Sequence, residues 1–300
     1  MTMRMMLTLS ASLAVLAACA PETEQPAQEP AEEAAPEQAS EAAPEDATPG
    51  DVMAGDAEPV EAEGDTMAEE RAAPAWGYEG ELAPANWDDL SEAWAVCETG
   101  TEQSPIDLAG MEGGEAVTPV LDWTVAEAAD IVDNGHTIQA NLTNAGSLTL
   151  DGTEYELVQF HFHAESEHTV EGEQYPLEVH FVHASEDGRL AVVGVFFEEG
   201  EAEPGLDPVW NNLPQAQGHI PVGTIVDPAE FLPEDLTAWR YPGSLTTPPC
   251  SEGVAWTVLQ TPITASAEQI AAYTARYDNN YRPVQPLGDR TVTVGDVTLE

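Results

Sequence analysis

Alternation of apolar and polar positions dominates the second half of the chain. Ser147–Leu150, Glu154–His163, Leu177–His183 and Leu190–Phe197 are alternating or continuous apolar runs bounded by Gly, Asp and Pro, which predicts four strands. Val254–Leu259 and Thr291–Leu299 predict two more. Helical periodicity is scarce: Ala265–Tyr277 carries the best of it, and a shorter stretch lies near Trp87–Cys97. No segment repeats, and no helix regularly follows each strand. The expected fold is therefore α+β and β-dominated, with a large central twisted sheet, mostly antiparallel or mixed, and a few peripheral helices. A doubly wound architecture is excluded.

The first quarter of the chain reads differently. Met5–Ala18 is an apolar run behind a single positive charge, Arg4. It is too short to span a bilayer and has the layout of an export signal. The run closes on Leu16-Ala17-Ala18-Cys19, which resembles the lipobox of bacterial lipoproteins, where cleavage precedes the cysteine and the cysteine is acylated. The alternative is an ordinary secretory signal cut near Ala20. Ala20–Ala75 is rich in Asp, Glu, Pro and Ala and has no aromatic residue. Such a segment cannot bury enough apolar surface to offset its ordering entropy, so it reads as a disordered acidic tether. The chain thus divides into a signal (1–18), an anchor cysteine with its tether (19–75) and a globular domain (76–300). The expected location is the periplasm or cell surface, with lipidated Cys19 as the membrane anchor.

Aromatic residues begin abruptly at Trp76, and all seven Trp and all seven His fall in 76–300. The chain has 56 acidic against 7 basic residues, a formal charge of −49, and no lysine. Nucleic acid is excluded as a partner, because phosphate contacts need a basic face. Acid spread through the whole domain suggests a solvated surface suited to high salt. With Cys19 acylated, Cys97 and Cys250 remain as an even pair in an oxidising compartment, which favours a disulfide over two buried thiols.

Chemistry concentrates in Gln159-Phe160-His161-Phe162-His163-Ala164-Glu165-Ser166-Glu167-His168, followed by Glu178-Val179-His180. Residues two apart on a strand share a face, so His161 and His163 point the same way. A hairpin closed at Glu171-Gly172 would set His163 directly opposite His180. Three imidazoles from two strands, with no fourth protein ligand, describe an open tetrahedral zinc site. Gln159 and Glu178 each precede a histidine by two residues and are placed to accept an imidazole N–H, fixing its tautomer and aim. Phe160 and Phe162 alternate to the opposite face and belong to a core. The spacing His161-x-His163-x3-Glu167 also resembles the first metal motif of cupins. The glycine that follows it in cupins and the whole second cupin motif are missing.

Six further segments carry a family resemblance over nearly all of 76–300. They are Trp76-Gly77-Tyr78, Gln103-Ser104-Pro105-Ile106-Asp107, Asn134-Gly135-His136, Ser166-Glu167-His168, Ser244-Leu245-Thr246-Thr247-Pro248-Pro249 and Asn280-Tyr281-Arg282-Pro283. In order and spacing they resemble the alpha-class carbonic anhydrases. The resemblance implies reversible hydration of carbon dioxide to bicarbonate and a proton, catalysed by zinc-bound hydroxide, with Zn2+ on His161, His163 and His180. A zinc-bound water has a pKa of about 7, so hydroxide is available at neutral pH.

The remaining roles are likewise implied by the resemblance. Thr246 matches the residue that orients the hydroxide and donates its own proton to Glu167, and Thr247 matches a bicarbonate contact. Val182, Val192, Leu245, Val254 and Trp256 match the apolar pocket for carbon dioxide. His136, in a turn at Asp133-Asn134-Gly135, matches the proton shuttle, a task for the one side chain that ordinarily changes charge near neutral pH. Tyr78 matches a residue that orders water along the transfer path. Arg282 reads as structural, His168 and His183 as buried hydrogen-bonded histidines, and His219 has no assigned task. Related exported enzymes pair cysteines at positions matching Cys97 and Cys250. The competing reading is a non-catalytic binding or adhesion module on the same fold.

Overall fold

A computed structural model of the chain describes residues 74–108 and 117–300. The expected signal, the lipidation site Cys19 and almost all of the acidic tether lie outside the described residues.

Thirteen strands join in one twisted sheet among the described residues. From edge to edge its main path runs Thr293–Asp296, Thr237–Ser244, Glu252–Leu259, Leu190–Glu199, Leu177–Ala184, Thr153–His163, Ile138–Thr143, Ala126–Asp133 and Gly218–Val226. Neighbours are antiparallel along this path except for Glu252–Leu259 beside Leu190–Glu199, which is parallel. The sheet is mixed and mostly antiparallel, as the patterning predicts. Helices are short and peripheral.

Two cores flank the central strands. On one face Phe160, Phe162, Phe181, Phe197 and Phe231 pack with Ile131, Ile138 and Val179. On the other, Val182, Val192, Phe196, Trp256 and Val258 form a smaller cluster. The alternation along Thr153–His163 thus sends phenylalanines to one core and leaves the histidines on the opposite face.

Several expected elements differ in detail. The helix expected over Ala265–Tyr277 covers Ala267–Thr274, because Ser266 and Gln269 form a capping box and Ile263–Ala265 pairs as a strand with Phe197–Glu199. The stretch near Trp87–Cys97 is broken into one-turn helices, Trp87–Leu90 and Val96–Thr99, around a 3-10 turn. The strand expected over Thr291–Leu299 splits: Thr293–Asp296 pairs with Thr237–Arg240, and Thr298–Leu299 runs parallel to Val120–Leu121.

The hairpin register is also corrected. His161, and not His163, stands opposite His180, while His163 faces Glu178. The tight turn at Glu171-Gly172 does form, closed by the Val170–Glu173 bridge, with both residues at positive φ. However, Ala164–His168 leaves the sheet first: the backbone N–H groups of Glu167 and His168 donate to the Glu178 carboxylate, each at 2.9 Å. This excursion takes two more residues on the outgoing side than on the return, which shifts the pairing by two.

Candidate metal centre and cavity

His161, His163 and His180 each offer a ring nitrogen, and these three atoms lie within 4.8 Å of one another. The other nitrogen of each ring is already committed. His161 Nδ1 donates to Gln159 Oε1 at 2.9 Å, and His180 Nε2 to Glu178 Oε1 at 2.8 Å. His163 Nδ1 donates to the backbone carbonyl of Asn280 at 2.7 Å. Gln159 and Glu178 therefore hold the positions expected of them, and Asn280 supplies the third acceptor, which side-chain patterning does not disclose. With those bonds made, His161 Nε2, His163 Nε2 and His180 Nδ1 are left with lone pairs facing a common point.

Two buried atoms at this point have no hydrogen-bond partner, His163 Nε2 and Glu167 Oε2. Glu167 Oε2 lies 3.5 Å from His163 Nε2 and 3.8 Å from His180 Nδ1. An orphaned buried polar atom costs about 1–3 kcal/mol. A cation held by the three nitrogens would satisfy their lone pairs and place positive charge beside the carboxylate, so the donor set fits a metal ion.

The electrostatics favour ligand-ready histidines. Burial, with the neighbouring His163 and His180, pushes His161 well below the usual imidazole range. Burial also lowers His163, against the pull of Glu167. Both are neutral at neutral pH, the form that binds metal. For His180, burial acts downward, but the Glu178 carboxylate and its hydrogen bond outweigh it and raise the pKa. Glu178 itself is held ionised below its ordinary range: burial opposes this, and His168 and His180 prevail. His168, Glu178 and His180 also come close enough to form a ligand set. Their atoms are spent on one another, with His168 Nδ1 on Glu178 at 2.7 Å and His168 Nε2 on the Tyr241 hydroxyl at 2.6 Å. His168 is a hydrogen-bonded core residue, as expected, and so is His183, whose Nε2 accepts from Trp123 Nε1.

The three histidines form the floor of a cavity of about 290 Å³. Tyr78, His136, Gln159, Thr246 and Thr247 line it with polar atoms, and Val182, Val192, Leu245 and Trp256 line it with apolar ones. Val254 is buried in the same apolar cluster as Val182, Val192 and Trp256 but is not itself among the residues lining the cavity. Trp76, Asn134, Thr137, Gln139 and Leu190 also line the cavity. Gln139 stands opposite His161 on the strand Ile138–Thr143, which the sequence patterning does not predict.

His136 sits at the cavity wall with its ring stacked on Trp76 at 3.6 Å and its Nε2 3.0 Å from the Trp76 carbonyl. Burial, and next the Glu167 charge, raises the Tyr78 phenol well above its usual value, so it stays a protonated donor. The expected bond from Thr246 to Glu167 is not made. Glu167 Oε1 accepts from the Arg282 backbone N–H at 2.8 Å, while Oε2 remains without a partner. Arg282 is structural: it is buried and donates to Gln103, to Ser104 O and to Cys97 O. Cys97 and Cys250 form a disulfide that ties the loop after Thr246-Thr247 to the helical turn Val96–Thr99. His219 lies far out on the edge strand, exposed, 3.5 Å from Asp130.

Comparison with known proteins agrees with this geometry. Residues 82–295 match the family model described as eukaryotic-type carbonic anhydrase. A carbonic anhydrase of Pectobacterium carotovorum is 44% identical over 222 residues, covering 72% of this chain and 89% of the relative. One from Klebsiella pneumoniae is 44% identical over 221 residues, covering 72% of this chain and 89% of that protein. Among solved structures, an alpha-carbonic anhydrase from Thermovibrio ammonificans in complex with sulfanilamide superimposes with a TM-score of 0.71 at 42% identity, covering 74% of this chain and 100% of that one. With three converging histidines lining a largely apolar cavity, this chain belongs to the eukaryotic-type, alpha-class carbonic anhydrase family.

Proposed function

We propose that the chain carries out its family's reaction, the reversible hydration of carbon dioxide to bicarbonate and a proton, with Zn2+ held by His161, His163 and His180. The observation that carries this reading is the set of three converging imidazoles whose outward nitrogens are all committed to acceptors. When bound there, zinc would lower the pKa of a coordinated water to about 7 and supply a nucleophile at neutral pH.

The other residues divide the remaining work. Val182, Val192, Leu245 and Trp256 offer an apolar wall to an uncharged substrate. Thr246 is assigned the task of orienting the attacking oxygen, a positioning effect, with Glu167 Oε2 free to accept a hydrogen bond from its hydroxyl. Thr247, which lines the same cavity, is assigned contact with the charged product. His136 takes up the released proton at a ring nitrogen and passes it to solvent. A non-catalytic module on the same fold is not favoured, since all three histidines, Thr246 and Glu167 are present.

The test is stopped-flow hydration of carbon dioxide with and without chelator, alongside elemental analysis. His161→Ala, His163→Ala and His180→Ala should each lose most of the zinc and nearly all of the activity. Stoichiometric zinc retained in any of them would overturn the ligand assignment.

The proposal extends to an exported enzyme anchored by lipid at Cys19. The Leu-Ala-Ala-Cys segment and a disulfide between Cys97 and Cys250 support it, because such bonds persist in oxidising compartments. Replacing Cys19 with Ser should move the protein from the membrane fraction to the soluble one with hydration per molecule unchanged. Unaltered fractionation would refute the anchor.

A further inference from the structure

We propose that Asp133, Arg276 and Tyr277 form a clamp that positions the turn carrying His136 for proton transfer. The inference rests on the reading of His136 as the group that takes up the proton.

Asp133 is buried and ends the strand Ala126–Asp133, three residues before His136. Its two carboxylate oxygens are both engaged. Oδ1 accepts from the Tyr277 hydroxyl at 2.5 Å and from the Gly135 backbone N–H at 3.2 Å. Oδ2 accepts from Arg276 Nη1 at 2.9 Å. Arg276 and Tyr277 follow the helix Ala267–Thr274, so one carboxylate joins that helix end to the turn. Arg276 also donates to the Pro214 carbonyl, which brings a third segment to the same point.

The turn is held from inside as well. Asn134 Oδ1 accepts from the backbone N–H of His136 and of Thr137, both at 2.9 Å. Gly135 has φ of +87°, a left-handed conformation that strains any residue carrying a Cβ and so favours glycine. The His136 backbone is therefore held, with its ring stacked on Trp76 at the cavity wall. Proton transfer depends on donor–acceptor placement within a fraction of an ångström, so the clamp should act on that step and not on attack at carbon dioxide. None of the three clamp residues lines the cavity, so they are positioning residues.

The experiment uses the full zinc-loaded chain and separates the two steps. In weak buffer, kcat for hydration reports proton release, and kcat/KM reports attack on carbon dioxide. Asp133→Asn keeps the size but loses the charge that holds Arg276, and its kcat should fall about three- to tenfold, the loss of one charge-assisted hydrogen bond. Its kcat/KM should stay within about twofold of the parent, and added imidazole buffer should restore kcat by accepting the proton directly. Tyr277→Phe removes a single hydroxyl and should show the same signature more weakly, which keeps the test decisive if Asp133→Asn folds poorly. A purely structural role would lower stability without making kcat depend on buffer. The clamp is overturned if both variants match the parent in kcat and in buffer dependence while His136→Ala shows a loss that imidazole rescues. If His136→Ala itself shows no such loss, the shuttle reading falls, and the clamp falls with it.

Discussion

The backbone carbonyl of Asn280 accepts the Nδ1–H of His163 at 2.7 Å. The same residue's side chain donates to the carbonyls of His136 and Phe162 and to the Tyr273 hydroxyl, and its Oδ1 accepts from the Ala164 N–H. One buried residue thus joins His163, a member of the candidate metal set, to the turn that carries His136.

Asn280→Ala should leave the carbonyl in the chain but free the loop that aims it. The groups orphaned by the change lose about 2–4 kcal/mol of stability between them. Zinc affinity should fall about tenfold, the range seen when support of a ligand is lost. Thermal denaturation and competition with a chelator would measure both. Unchanged zinc affinity would mean that the rest of the loop aims the carbonyl unaided.

The histidines were legible because a strand repeats every two residues, and the same period exposes Gln159 and Glu178. Asn280 was not, because its contribution to His163 is a main-chain atom from 117 residues away. The pairing of His161 with His180 is not legible, because the sequence shows the tight turn and not the Ala164–His168 excursion. That excursion is held by a carboxylate on another strand. Three strands beyond Thr153–His163 are also illegible in the patterning: Ile138–Thr143, Ala126–Asp133 and Gly218–Val226. Ala126–Asp133 is alanine-rich and Gly218–Val226 contains Pro221, so neither carries ordinary strand signals, and both are set by their neighbours. Family resemblance placed Val254 in the pocket. Val254 shares one apolar cluster with Val182, Val192 and Trp256 but does not itself line the cavity, so membership of that cluster does not decide which residue reaches it.

His183 makes stability depend on pH. It is fully buried, and burial lowers its pKa to about 3. Its Nε2 accepts a hydrogen bond from Trp123, which requires the neutral ring. The unfolded chain binds a proton near pH 6.5 and the folded one near 3, so this contribution is complete above about 6.5. It is lost as pH falls from there toward 3. Between pH 6.5 and 4.5 the loss should be about 2 kcal/mol. The melting temperature of the parent should therefore drop over that interval more steeply than that of His183→Asn, which cannot titrate. Parallel slopes would exclude His183 as the source.

The disulfide should matter more for stability than for the metal. Cys97 and Cys250 close a span of 153 residues, which in the chain-entropy model contributes about 5 kcal/mol. The loop is also held by other bonds: Cys250 N–H donates to Thr247 O at 2.8 Å, and Gln103 donates to Cys250 O at 3.1 Å. The double variant Cys97→Ser, Cys250→Ser should thus lose about 3–5 kcal/mol in urea titration. It should keep stoichiometric zinc at room temperature while folded. Loss of zinc before unfolding would show that the bridge, and not these hydrogen bonds, maintains the centre.

The last expectation joins charge to salt. The chain has 56 acidic against 7 basic residues. Among the described residues only two carboxylate pairs with arginine occur, Arg189–Asp187 and Arg276–Asp133. Most of the acidic surface therefore faces like charge. Repulsion between exposed charges reaches about 30 Å at 0.01 M salt and about 3 Å at 1 M. Raising salt removes an unfavourable term that is larger in the compact state than in the expanded chain, so folding should gain. Attack on carbon dioxide should gain nothing, because a neutral substrate is not steered by the field and the centre lies within a cavity. The melting temperature of the full chain should therefore rise by several degrees between about 0.05 and 1 M sodium chloride. Over the same range kcat/KM should change only through chloride competing at the metal. Choline chloride and sodium chloride at equal ionic strength should act alike, since screening does not distinguish the cations. A melting temperature that stays flat or falls would mean that the carboxylates are spaced widely enough for water alone to carry them, and the link between composition and salt would fail.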